Sequence, residues 1–181
     1  ALEKLEQFDE TFSKFQSKRV LGASAPRMNN DRTIKVFSTG RVHSTTDLFI
    51  FLPGDGVLFT GDAVVSVPSL WTGECDIENW IDTLKILDRF GVKTVCPGHG
   101  PVVGHEILSK LANYLIELRD EVAYQVSQGR TLETTIEQVR VPEQKDWASD
   151  ENAFKDHVKA VYDQLTAEPP EQQPGLMPRA F

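Results

Sequence analysis

Cysteine is scarce: Cys75 and Cys96 are the only two in 181 residues, and two thiols do not make a disulfide framework. Long apolar runs are missing as well. No stretch approaches the roughly 20 residues of a membrane span, and the opening A-L-E-K-L-E-Q-F has no secretory-signal character. Basic residues are outnumbered, 19 Lys and Arg against 27 Asp and Glu, for a net charge of -8. That balance excludes generic docking on a phosphate backbone and adsorption to an anionic bilayer. No nucleic acid and no membrane is therefore expected as a partner. The sequence names no compartment. Nucleophile elbows, phosphate-cradling loops and paired catalytic carboxylates are also absent.

What is present centres on Val42 to Ala63. Leu48–Leu52 is a short apolar run that reads as a buried strand. Pro53-Gly54-Asp55-Gly56 is turn chemistry, with proline presetting one φ and glycine accepting a positive one. Val57–Thr60 runs back, and Gly61-Asp62 closes it. An antiparallel hairpin brings its ends together, so His43 and Asp62, nineteen positions apart in sequence, are expected to converge. A third strand, Val92–Cys96, delivers Pro97-Gly98-His99-Gly100. Cys96 is expected to be a small core residue.

The remaining pattern is mixed α and β. Leu2, Leu5, Phe8, Phe12 and Phe15 form an amphipathic stripe, and residues 22–31 read as a loop. Thr33–Phe37 reads as a strand, and 64–73 as an irregular flap carrying Trp71, a candidate for the pocket mouth. Asp76 is placed to cap a helix through Arg89 that Gly91 ends. A long helix spans Glu106–Gln128. Thr131 caps a short one, and Asp150 opens a last one with Phe154, Val158, Val161 and Leu165 inward. His105 is expected at the surface near a helix start, and His157 solvated. Glu74 and Asp76 are weighed as substrate-side acids, with capping preferred for Asp76. After Glu168, four prolines in thirteen residues predict an extended tail.

His43, Asp62 and His99 form an imidazole and carboxylate set that suits zinc, iron or manganese. Taken in order, H-S-T-T-D before the hairpin, T-G-D after a strand and P-G-H-G after a later strand resemble the metallo-β-lactamase-fold hydrolases over roughly residues 32–140. The helices beyond, ending in Q-G-R-T-L-E-T-T-I-E-Q-V, resemble the glyoxalase-II-like and quinoprotein-relay-like members. The resemblance implies an α/β (α+β) fold, the αββα sandwich. It implies that His43 binds a first metal, that Asp62 bridges two, and that His99 binds the second. Asp47 matches the last residue of the family's G-H-T-x-G-D loop, in which Val42 and Thr46 replace glycines here. It is expected to steady the ligands rather than bind.

The family's His-x-His-x-Asp-His motif is missing. The four histidines are His43, His99, His105 and His157, and none is clustered. The expectation is a partial sandwich over 1–168 lacking its N-terminal part. Within it, 1–31 is helix and loop, 32–140 the core and 150–167 the last helix, with 169–181 as a proline-rich tail. The implied function is the C-terminal portion of a metal-dependent hydrolase, with zinc as one or two ions in the complete family site. It would cleave a small-molecule substrate, an ester, thioester or amide, through a metal-bound hydroxide and be inactive alone. The alternative is a non-catalytic binding or assembly module on a degenerate half-fold. The partner is then a second copy or a complementing N-terminal polypeptide.

Overall fold

In the computed structural model, residues 33–167 and the backbone of 23–24 are described. The amphipathic stripe at 2–15, most of the 22–31 loop and the proline-rich tail lie outside them. Six strands form one sheet in the order β1-β2-β3-β4-β5-β6. They are β1 (Ala23–Ser24), β2 (Lys35–Phe37), β3 (Phe49–Leu52), β4 (Val57–Val65), β5 (Thr94–His99) and β6 (Val103–Gly104). Every neighbouring pair is antiparallel except β4 and β5, which run parallel. Parallel strands need a crossover, here supplied by the loop 66–75, α1 (Ile77–Leu87) and a 3-10 turn (Asp88–Phe90). Four further helices follow β6: α2 (Glu106–Ser127), α3 (Leu132–Gln138), α4 (Gln144–Trp147) and α5 (Glu151–Thr166).

The turn chemistry acts as expected. Leu52 carbonyl accepts from the amides of Asp55 and Gly56 at 3.2 and 2.8 Å, with Gly56 at φ +72. Asp76 caps α1 by accepting from Asn79 N at 3.0 Å, and Asp150 caps α5 through Asn152 and Ala153. Thr131 caps α3.

The two faces of the sheet differ. Phe51, Leu58 and Val95 are register partners across β3, β4 and β5. All three are buried, in one cluster with Trp80, Ile81 and Leu84 of α1 and Leu111, Leu115 and Leu118 of α2. The adjoining row, Val36, Ile50, Phe59 and Cys96, faces the other way. Ile50 is 39% exposed and Phe59 43%. Leu48–Leu52 is thus an alternating strand with one open face, rather than a strand buried on both sides. Cys96 likewise is half-buried, while Cys75 is the buried thiol, its pKa pushed up by burial. Of an αββα sandwich, the described residues hold one sheet and the helices over it.

Three more expectations change. The second hairpin strand does not stop at Thr60; it continues to Val65 through register shifts at Gly61, because Gly61 takes φ +53 and absorbs a bulge. On the last helix Leu165 is 37% exposed, and His157 turns inward instead, at 1%. The edge strand β6 and the one-turn helix α4 carry no strong pattern and escape a reading by periodicity.

Candidate metal-site residues

Asp62 sits on the bulge of β4 and His99 ends β5, on adjacent parallel strands. His99 Nδ1 lies 3.0 Å from Asp62 Oδ1, with both side chains about half exposed. This closeness depends on Gly98. A Cβ there would stand 2.0 Å from Asp62 Oδ1 and 2.8 Å from Asp62 N, so any side chain would drive the two strand ends apart. Gly100 adopts φ +95 with Ser66 beside it. Ser66 N then donates to His99 carbonyl at 2.9 Å and its hydroxyl to Pro101 carbonyl at 2.7 Å. These bonds hem the turn that carries His99.

His43 comes from the loop before β3 and is 8% exposed. Its ring makes T-shaped contacts with two tryptophans, Trp80 of α1 at 5.5 Å and Trp71 of the 66–75 loop at 5.4 Å. Trp80 is itself fixed, its indole donating to Ala63 carbonyl at 2.9 Å. The loop around His43 is built on Asp47. Its Oδ2 accepts from the amides of Val42 and Ser44, and its Oδ1 from the Ser44 hydroxyl, all at 3.0 Å. Val42 N–H is buried, and without Asp47 it would lack a partner.

Burial is the largest influence on His43 and pulls its pKa below the usual histidine value. Asp47, Asp62 and Glu74 push it up, and His99 pushes it down. His43 therefore feels both members of the Asp62–His99 pair. A neutral imidazole is the form that binds a metal, so the environment suits a ligand. The donor chemistry of the trio fits zinc, iron or manganese. The assembly is incomplete, however: among the described residues no three His, Cys, Asp or Glu side chains stand together to hold an ion. Asp62 and His99 meet, while His43 is packed against its tryptophans.

The other candidates take different parts. His105 is exposed beside Glu106, as expected of a helix start. Asp76 caps α1, and Glu74 is exposed with its carbonyl accepting from Arg41 Nε at 2.6 Å. Trp71 is 49% exposed and faces His43. Sequence reasoning missed the part played by Trp80, whose indole packs on His43.

Residues 29–99 match the model of the metallo-beta-lactamase superfamily, and that segment spans His43, Asp62 and His99. Over this segment the chain is similar to the metallo-beta-lactamase superfamily. Among solved structures it is similar to the stereoselective inverting sec-alkylsulfatase Pisa1 from Pseudomonas sp. The TM-score is 0.64 at 18% identity, covering 79% of this chain and 25% of that one. A double mutant of the same sulfatase gives 0.66 at 18% identity, covering 82% of this chain and 26% of that one. The chain thus spans about a quarter of the sulfatase's length. The metallo-beta-lactamase FIM-1 from Pseudomonas aeruginosa, in a mono-zinc form, matches at TM-score 0.43 and 23% identity. That match covers 51% of this chain and 46% of the other.

Proposed function

We propose that this chain supplies part of the metal centre of a hydrolase, with His43, Asp62 and His99 as its share of the ligands. The observation that carries the reading is the meeting of Asp62 and His99 at 3.0 Å on adjacent strand ends. A divalent cation held there, zinc by the donor set, would supply Lewis acidity toward a scissile ester, thioester or amide. The chain's own residues set the stage. Asp47 fixes the His43 loop, Gly98 lets the strand ends close, and the tryptophans exclude water from one side of His43.

A catalytic zinc keeps about three protein ligands. Since the described residues do not bring three together, this polypeptide alone holds at most one cation weakly and turns over substrate poorly. Elemental analysis and zinc calorimetry on the purified chain test this. One weak site or none is expected, weakened further by Asp62→Asn or His99→Ala. Two tightly held ions per chain, with no second polypeptide present, would overturn it. Carboxyl esters, thioesters, amides and sec-alkyl sulfates form the substrate panel, assayed with added zinc.

The open sheet face favours a second reading, a binding or assembly module. Ile50 and Phe59 lie in one register row with Leu48, 60% exposed, beside it. Contiguous apolar surface of this kind marks an interaction site. A second copy or a complementing polypeptide would cover it. Hydrolysis appearing once a complementing N-terminal polypeptide is added supports the enzyme reading. Self-association with no zinc binding supports the module.

A further inference from the structure

The loop 66–75 brings Trp71 to His43, and its sequence neighbour Leu70 is held by two helices, α4 and α5. Leu70 is 4% exposed. Its amide donates to the carbonyl of Trp147, at the end of α4, at 3.0 Å. Its carbonyl receives the Nε2 of His157, from α5, at 2.8 Å. The other ring nitrogen, Nδ1, lies 2.7 Å from the hydroxyl of Tyr114 on α2. A carbonyl only accepts, so Nε2 carries the proton. In the neutral ring Nδ1 then accepts from Tyr114. Tyr114 is a reliable donor, its phenol pKa pushed up by burial, and its ring packs against Trp147 at 5.9 Å. The chain of contacts runs Tyr114, His157, Leu70, Trp71, His43, from the C-terminal helices to the candidate site.

We infer that His157 is a positioning residue for that site: its hydrogen bond to Leu70, oriented by Tyr114, holds the loop so that Trp71 stays against His43. A buried histidine is costly unless both ring nitrogens find partners, as they do here. Were only packing required, a leucine of similar size would fill the space. What histidine adds is a donor aimed at a loop carbonyl that has no helix or sheet partner of its own. Past Leu70, the next backbone bond in the loop is the weak local one from Cys75 N to Thr72 carbonyl, at 3.3 Å. The Leu70 clamp is therefore the fastening nearest Trp71 among the described residues. The inference concerns the site read above as a metal centre, but its test reads loop position and does not require metal or turnover.

The experiment compares wild type with His157→Leu, His157→Gln and Tyr114→Phe by native-state amide exchange and acrylamide quenching. The Leu70 amide reports loop opening directly. Trp80 and Trp147 are buried and Trp71 is half exposed, so quenching reads Trp71. His157→Leu is expected to speed Leu70 exchange about fivefold, the loss of one ordinary hydrogen bond, and to raise quenching. Exchange at Leu118 in the middle of α2 should stay near wild type. His157→Gln, which keeps a donor at similar reach, should restore both readouts. Unchanged Leu70 exchange in a folded His157→Leu variant overturns the inference, as does equal loss in the Leu and Gln variants. If His157→Leu does not fold, Tyr114→Phe decides. It retains the ring, and faster Leu70 exchange supports the inference while wild-type exchange overturns it. If zinc binding is absent throughout while these readouts move, the metal reading fails and the positioning role stands.

Discussion

Two residues, Gly98 and Asp47, set the local geometry of the candidate site. Gly98 is required by contact distance, since a methyl group there would overlap Asp62. Overpacking a tight site costs about 1–3 kcal/mol, so Gly98→Ala should lose that much in urea unfolding and weaken zinc binding further. An alanine variant of wild-type stability would mean that the strand ends are not pressed together. Asp47 is required by its bonds to Val42, Ser44 and the Ser44 hydroxyl. Asp47→Ala leaves a buried amide without an acceptor and should cost about 2 kcal/mol, measured the same way. Asp47→Asn keeps one acceptor oxygen and should cost less. H-S-T-T-D was legible in sequence as the loop before a strand. That Asp47 steadies the loop was expected from the family resemblance; that its carboxylate closes back on the amide before His43 emerged only from the structure.

At the scale of elements, the last helix carries a pH signature. Burial lowers the pKa of His157 below the usual 6.5, opposed by the Leu70 bond and by Asp156, while Tyr114 faces Nδ1 as a neutral phenol. The unfolded chain thus takes up the proton at higher pH than the folded one. Between the folded pKa and about 6.5 the unfolded state binds more protons, so stability rises with pH there and is lost on acidification from about 6.5 downward. Urea melts across pH 5 to 7.5 should show this slope, and His157→Gln should flatten it; an identical slope in the variant would refute the assignment. The helices themselves were legible because capping residues and apolar stripes are local. The inward turn of His157 was not. A histidine between Asp156 and Val158 reads as solvated until Tyr114 and Leu70, 43 and 87 positions away, are known to meet it.

At the scale of the molecule, one sheet face is covered by helices and the other is partly open. If the open face mediates association, Leu48→Lys with Phe59→Lys should abolish it in sedimentation experiments. The cost in stability should stay within about 1 kcal/mol, since both side chains are substantially exposed. Association that survives both lysines would place the contact elsewhere. None of the described helices is long and apolar enough to cross a membrane.

By itself the sequence determined the turns, the caps, the helical stripes and the order of His43, Asp62 and His99 along the chain, because each depends on residues a few positions apart. Tertiary structure alone decided that β4 lies parallel to β5, which is what sets Asp62 beside His99. It decided which sheet face is wet, and which of His43 and His157 is walled in by tryptophan and which by tyrosine. Those outcomes depend on surfaces brought together across tens of residues, and no local spacing encodes where a distant side chain will land.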